Sequence, residues 1–98
     1  MKRRTLDAGE ALVTQGEEGG DLFLVLDGVL AVEVDGEALA EVGPGALLGE
    51  RALLEGGVRT ATLRATTRCR VAVLEADQID LEELRQVSAG HRREESPS

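Results

Sequence analysis

Short apolar runs separated by glycine-rich segments recur along most of this 98-residue chain. Residues 21–26 form such a run, which predicts a strand that is apolar on both faces. In residues 29–34 and 37–42 every even-numbered residue is apolar, which places these residues on one face of each segment. The dipeptide Asp35-Gly36 between them is favoured in two-residue turns whose central residues need a positive φ. A β-hairpin is therefore predicted over residues 29–42.

Three further segments fit strands. Residues 11–15 form a short apolar run between glycine-containing segments, and residues 69–74 form a longer one. Residues 60–66 alternate, which predicts that the odd-numbered residues face inward and that the even-numbered ones, Thr62 among them, face outward. In all, the pattern predicts seven or eight short strands followed by one helix. That order is typical of a sandwich or barrel of the jelly-roll type.

Two segments fit helices. Residues 50–54 allow one short helical turn bounded by glycines, and residues 77–87 allow a longer C-terminal helix. We therefore expect a mainly β fold, a double-stranded β-helix (jelly-roll) barrel, with a short helix and a C-terminal helix. The domain is expected to cover residues 1–88, and residues 89–98 are expected to form a polar, disordered tail.

The composition excludes several classes of protein. With one Phe and no Trp or Tyr, the chain lacks the aromatic side chains on which nucleic-acid bases stack, and its net charge of −8 repels a phosphate backbone. We therefore expect no binding of nucleic acid by this chain. Its apolar runs are too short to span a membrane, and its single cysteine fits a reducing compartment, so a cytoplasmic location and no membrane partner are expected.

The residues with the clearest chemical potential lie between positions 45 and 62. A glycine turn, one helical turn and a glycine loop lead to Arg59 at the mouth of a strand. The amides at a helix start and a forked guanidinium both suit a small anion. Glu50 only accepts hydrogen bonds when it is ionised, so a sugar hydroxyl would be a fitting partner for it. The alternatives are an exposed Arg59 without a role and a Glu50 that only complements the helix dipole.

This segment resembles the phosphate-binding cassette of the cyclic nucleotide-binding domain family, which occurs in bacterial regulators, kinases and channels. The resemblance rests on residues 49–54, a short loop, and residues 59–62, and eight residues separate Glu50 from Arg59. It implies that Arg59 binds the cyclic phosphate and that Glu50 binds the ribose 2′-hydroxyl. The amides of Ala52 and Thr60 would complete the phosphate site. The ligand-binding residues expected on this basis are Leu48, Gly49, Glu50, Arg51, Ala52, Arg59, Thr60 and Ala61.

The chain also departs from the family's pattern. Leu48 stands where the family often has Phe, and Arg51 stands where an apolar residue is common. The family usually has a leading helix and a long C-terminal helix that covers the base. The alternatives for this chain are that this lid is missing, that residues 84–93 form a short one, or that the sequence is a fragment. The resemblance implies cAMP or cGMP as a regulatory ligand and no metal. Thr60 is a residue type found in guanine-preferring kinases of the family, but it leaves the base undecided.

Three functions compete. The first is a cyclic nucleotide sensor whose state is transmitted to a protein effector or within a homodimer. The second is a degenerate domain that keeps the barrel but serves as a ligand-free protein interaction module. The third, a metal-dependent enzyme on a jelly roll, is disfavoured because the single histidine, His91, cannot supply a cluster of metal ligands. No catalytic residues and no metal site are therefore expected.

Overall fold

The computed structural model describes residues 2–54, 56–78 and 82. Eight strands, one short α-helix and one 3₁₀ helix make up this part of the chain. In chain order they are β1 (Lys2–Leu6), β2 (Ala11–Val13), β3 (Leu22–Asp27), β4 (Leu30–Val34), β5 (Glu37–Val42), β6 (Leu47–Leu48), α1 (Glu50–Leu54), β7 (Thr62–Ala65), β8 (Cys69–Leu74) and the 3₁₀ helix (Ala76–Gln78).

The strands form two antiparallel four-stranded sheets. One has the order β1-β8-β3-β6 and the other has the order β2-β7-β4-β5. Successive strands therefore pass repeatedly from one sheet to the other, which is the arrangement of a jelly roll. The predicted mainly β, jelly-roll fold is confirmed.

The inner faces of the two sheets share one aliphatic core. Because side chains alternate along a strand, β3, β7 and β8 each contribute every second side chain to the space between the sheets. Burial of these side chains stabilises the fold by about 25 cal/mol per Å² of apolar surface. The buried cluster consists of Leu6, Leu12, Phe23, Val25, Leu30, Leu63, Ala65, Cys69, Val71 and Val73.

The β4–β5 hairpin has the predicted turn. Asp35 and Gly36 have φ values of +52° and +83°, and Val34 pairs with Glu37 across the turn. Strand β5 is an edge strand that pairs only with β4 among the strands the structure describes, and most of its residues are exposed. The hairpin therefore projects from the barrel with one free edge.

The fold differs from the sequence-based expectations in several places. Strands β1 and β6 were not predicted. Thr62, expected to face outward, is buried, and its Oγ1 is satisfied there by a hydrogen bond from the backbone N–H of Gln15 at 3.0 Å. The predicted C-terminal helix over 77–87 overlaps the 3₁₀ helix at Ala76–Gln78, and most of its remaining residues lie outside the described part of the chain. The predicted tail over 89–98 lies outside it as well.

Within residues 2–54, 56–78 and 82, no helix has the length and apolar character needed to cross a membrane.

Candidate functional site

A cavity of about 480 Å³ lies at one end of the barrel, between the β4–β5 hairpin, β6, α1 and the segment that leads into β7. This volume lies within the range of small-molecule sites, roughly 300–1,000 Å³. The structure brings all eight predicted ligand-binding residues to the wall of this one cavity. They are Leu48, Gly49, Glu50, Arg51, Ala52, Arg59, Thr60 and Ala61.

Arg59 is the central cation of the cavity. Arg59 is only 6% exposed, so the alternative interpretation of Arg59 as an exposed strand residue is wrong. Its Nη1 donates a hydrogen bond to the backbone carbonyl of Asp21 at 3.2 Å. The guanidinium carbon lies 5.4 Å from the ring centroid of Phe23, which is a cation–π distance. The side chain is therefore held in one place by a neutral acceptor and an aromatic ring.

The charge of Arg59 is not neutralised by direct contact with a carboxylate of the described residues. Ion pairs within 4.0 Å between described residues include Lys2–Glu75, Arg64–Glu33 and Arg70–Asp27, and Arg59 takes part in none of these. Burial lowers the pKa of the Arg59 guanidinium, while the more distant carboxylates of Asp21 and Glu17 act in the opposite direction. An arginine nevertheless stays protonated in a protein, so the cavity contains a desolvated positive charge. Such a charge favours an anionic ligand.

Two glycines make room for the guanidinium. A Cβ atom on Gly19 would lie 2.9 Å from Nε of Arg59, and one on Gly49 would lie 2.9 Å from Nη1. Gly49 also has a φ of +92°, which side-chain-bearing residues rarely adopt. The close approach of the main chain to Arg59 therefore depends on the absence of side chains at both positions.

The main chain around Arg59 is fixed by a loop that sequence reasoning did not assign to the site. The loop over residues 16–19 lies alongside residues 57–59. Three backbone hydrogen bonds join them, from Gly16 N to Arg59 O (2.8 Å), from Arg59 N to Glu17 O (2.8 Å) and from Gly19 N to Gly57 O (2.7 Å). The glycines at 16, 19 and 20 were the only signal of this role in the sequence.

Helix α1 begins at Glu50, directly after Gly49. Gly49 and the first residues of α1 line the cavity together. The first amides of a helix have no intrahelical acceptor, and Ala52 is in this first turn. The helix closes when the Gly57 amide donates to the carbonyl of Ala52 at 2.6 Å. This bond returns the chain toward Arg59, so Glu50 and Arg59 line the same space although eight residues separate them.

The opposite wall of the cavity is apolar. We call the three side chains Val32, Val34 and Leu39, from β4 and β5, the hairpin wall. Leu39 is 63% exposed and Leu47 of β6 is 38% exposed, so this side retains apolar surface in contact with solvent. A ligand with a flat, largely apolar part would fit against it.

In the described ranges, no group of three or more His, Cys, Asp or Glu side chains is placed to hold a metal ion. The side chains that line the cavity include two arginines, Arg51 and Arg59, the carboxylate of Glu50, the hydroxyl of Thr60 and an apolar wall.

Comparison with known proteins identifies a family. The model of the cyclic nucleotide-binding domain matches residues 3–86. The chain is 36% identical over 69 residues to a cAMP-dependent protein kinase regulatory subunit of Yarrowia lipolytica, covering 70% of this chain and 18% of that protein. It is 39% identical over 67 residues to a cyclic nucleotide-gated potassium channel of Mesorhizobium japonicum, covering 68% of this chain and 18% of that protein.

A solved structure described as Sp-2Cl-cAMPS bound to PKAR CBD2 is similar to this chain with a TM-score of 0.80. The two are 29% identical, and the match covers 96% of this chain and 64% of that one. This chain thus spans about a fifth of the length of the two curated relatives, and most of the solved domain.

Proposed function

Because the chain belongs to the cyclic nucleotide-binding domain family, we propose that its cavity binds cAMP or cGMP as a regulatory ligand. In this proposal Arg59 binds the cyclic phosphate, and the amides of Ala52 and Thr60 donate to the same group. Glu50 accepts a hydrogen bond from the ribose 2′-hydroxyl. Leu48, Gly49, Arg51 and Ala61 frame these groups on the cavity wall.

The observation that carries this proposal is the buried guanidinium of Arg59, which forms no ion pair within 4.0 Å with a carboxylate of the residues that the structure describes. A desolvated cation costs free energy unless a counter-charge reaches it. A cyclic phosphodiester carries one negative charge and accepts hydrogen bonds from the guanidinium fork. Each such charged hydrogen bond contributes about 1.5–3 kcal/mol net.

Glu50 suits the sugar and not the phosphate. An ionised carboxylate has no proton to donate, so a phosphate next to it would be repelled, whereas a ribose hydroxyl can donate to it. In this proposal the phosphate of the ligand binds Arg59 and its ribose hydroxyl binds Glu50, both on the same cavity wall. This pairing disfavours inorganic phosphate and linear polyphosphates as ligands.

The base is expected to lie against the hairpin wall. The lining residues beyond the predicted eight are Val13, Val32, Val34, Leu39, Leu47 and Leu63, none of which can hydrogen-bond through its side chain. Thr60 is the one neutral hydroxyl among the lining residues that the structure describes. Adenine and guanine are therefore the two candidates, with Thr60 as the residue that would distinguish them.

The domain is proposed to sense its ligand and not to transform it. Its relatives named above are a kinase regulatory subunit and a channel, so a protein effector is the proposed partner. A signal requires that the nucleotide bind two conformations of the domain with different affinities. The Cys69 thiol is free and buried, which fits a reducing compartment and supports the cytoplasm as the proposed location.

Isothermal titration with cAMP and with cGMP tests this proposal. Saturable binding of at least one nucleotide is expected, with a loss of at least about tenfold in Arg59→Ala, because a charged hydrogen-bonding group is removed. Arg3→Ala, at an exposed arginine on β1, is the matched control and should bind like the wild type. Absence of binding heat at millimolar concentrations of both nucleotides, with folded protein, would favour the ligand-free interaction module instead.

A further inference from the structure

The side chain of Gln15 makes a reciprocal pair of hydrogen bonds with Asp35. Its Nε2 donates to Oδ1 of Asp35 at 3.0 Å, and the backbone N–H of Asp35 donates to Oε1 of Gln15 at 2.8 Å. Asp35 is the first residue of the β4–β5 turn and has a φ of +52°. One amide group thus uses both its donor and its acceptor on the tip of the hairpin.

The backbone of residues 15 and 16 is bonded to the segment that carries Arg59. The backbone N–H of Gln15 donates to Oγ1 of Thr62 at 3.0 Å, and the N–H of Gly16 donates to the carbonyl of Arg59 at 2.8 Å. The dipeptide over 15–16 therefore contacts both the hairpin tip and the segment that carries Arg59.

The tip of the hairpin needs this support because the sheet ends before it. The pairing of β4 with β7 runs from Leu30 to Glu33 and stops there, although Val34 still lines the cavity. Beyond Glu33 the tip is held to the barrel by the Gln15 pair. Loss of that pair would leave the tip, residues 34–37, as a two-stranded end attached to the sheet only through the rest of β4 and β5, and two-stranded segments are marginally stable by themselves.

We propose that Gln15 is a positioning residue for nucleotide binding, which holds the tip of the hairpin, and with it Val34 of the hairpin wall, at a fixed distance from Arg59. Gln15 is not among the residues that line the cavity, so it acts through Asp35 and not on the ligand. The inference rests on the proposed function, since it concerns the same cavity. Its physical effect is preorganisation, because a wall that is already in place costs no ordering when the base arrives.

The test compares Gln15→Ala, Gln15→Glu, Asp35→Asn and the double variant Gln15→Glu/Asp35→Asn. For each, the Kd and dissociation rate of cAMP and cGMP are measured together with the thermal unfolding midpoint. Gln15→Ala should weaken binding by roughly three- to tenfold, mainly through faster dissociation. Gln15→Glu should bind the nucleotide no more tightly than Gln15→Ala, because the carboxylates at positions 15 and 35 then repel each other.

The double variant distinguishes a positioning role from a general loss of stability. In it, the introduced carboxylate at position 15 can accept from the introduced amide at position 35 and from the backbone N–H there. The reciprocal pair is thus restored, and the affinity should return to within about twofold of wild type. Thr67→Ala, which removes the bond from Val29 N to Thr67 Oγ1 at the other end of β4, is the matched control. It should leave the affinity unchanged even where it lowers the unfolding midpoint.

Wild-type affinity in Gln15→Ala, or no recovery in the double variant, overturns the inference while leaving the proposed function intact. A wild-type chain that binds neither nucleotide overturns both. Binding that is lost in Arg59→Ala but retained in full in Gln15→Ala separates the two proposals directly.

Discussion

Arg59 donates from Nη1 to the backbone carbonyl oxygen of Asp21 at 3.2 Å, and not to the carboxylate of the same residue. That carboxylate accepts a hydrogen bond from the amide of Ala76 at 3.0 Å, at the start of the 3₁₀ helix. Asp21 therefore orients the guanidinium through its backbone carbonyl, without a direct ion pair between its carboxylate and Arg59. This arrangement leaves the positive charge of Arg59 available to an anion in the cavity.

The contact between Gly19 and Arg59 predicts a loss of affinity from a single added methyl group. In Gly19→Ala the new Cβ would lie 2.9 Å from Nε and 3.2 Å from the central carbon of the guanidinium, so the arginine must move. Because Arg59 is the residue proposed to bind the phosphate, and a misplaced guanidinium would lose those hydrogen bonds, the affinity for cyclic nucleotide should fall about tenfold or more. Titration calorimetry of the folded variant measures this change.

Gly43→Ala is the matched control for that substitution. Neither Gly19 nor Gly43 has a positive φ, and the nearest atom to a Cβ on Gly43 is the carbonyl oxygen of Gly28 at 3.9 Å. The control should therefore bind like the wild type. Equal affinities for Gly19→Ala and Gly43→Ala would show that the position of Arg59 does not matter for binding.

The hydroxyl of Thr60 is the group expected to affect the preference of the cavity between guanine and adenine. If guanine binds there, Thr60→Ala removes a hydrogen-bonding partner and the affinity for cGMP should fall roughly two- to tenfold, with the affinity for cAMP nearly unchanged. Thr66→Ala serves as the control, because the Thr66 hydroxyl bonds to the carbonyl of Val29 and does not line the cavity. The ratio of the two dissociation constants is the readout, and an unchanged ratio in Thr60→Ala would contradict a role in base selection.

A side chain at position 28 is predicted to lower the stability of the fold strongly, although Gly28 does not line the cavity. Its φ is +88°, and a Cβ there would overlap the backbone carbonyl of Arg68 and lie 2.7 Å from Sγ of Cys69. Since both neighbours belong to the barrel and Cys69 is fully buried, Gly28→Ala should lower the free energy of unfolding by about 3 kcal/mol or more. Denaturant unfolding measures this loss.

The comparison for Gly28 is Gly36→Asn. Gly36 has a φ of +83°, but a Cβ there would meet no atom within 4 Å, and asparagine tolerates the left-handed region. The cost of this substitution in the free energy of unfolding should stay below about 1 kcal/mol. Similar losses at the two positions would mean that the contact with β8 is not what constrains Gly28.

The features predicted correctly from the sequence are those that short stretches of chain determine. The Asp35-Gly36 turn is set by two residues, and the strand over 37–42 follows from alternation within six. The cluster of Glu50, Ala52 and Arg59 at one cavity was likewise predicted from spacing and resemblance, and these residues do line one cavity. Their roles toward a ligand stay a prediction.

The features that escaped prediction depend on partners distant in sequence. The run Lys2–Leu6 is a strand only because β8 pairs with it, and its charged residues give no alternating pattern. Thr62 is buried by the amide of Gln15, 47 residues away, and Arg59 is held by Asp21, 38 residues away. Local periodicity contains no information about such contacts.

The proposed function depends on whether Arg59 binds an anionic ligand or only stabilises the fold. Denaturant unfolding of the wild type and of Arg59→Met, each with and without cyclic nucleotide, tests this most directly. The wild type should gain about 2.7 kcal/mol when the ligand is present at 100 times its Kd. Arg59→Met should gain about 1.4 kcal/mol or less at the same ligand concentration, as a tenfold or greater loss of affinity requires. Without ligand it should be at least as stable as the wild type, because a buried charge that forms no ion pair with a described carboxylate has been removed. A variant that is clearly less stable without ligand, yet keeps the full ligand-induced gain, would contradict a role for Arg59 in binding the anion.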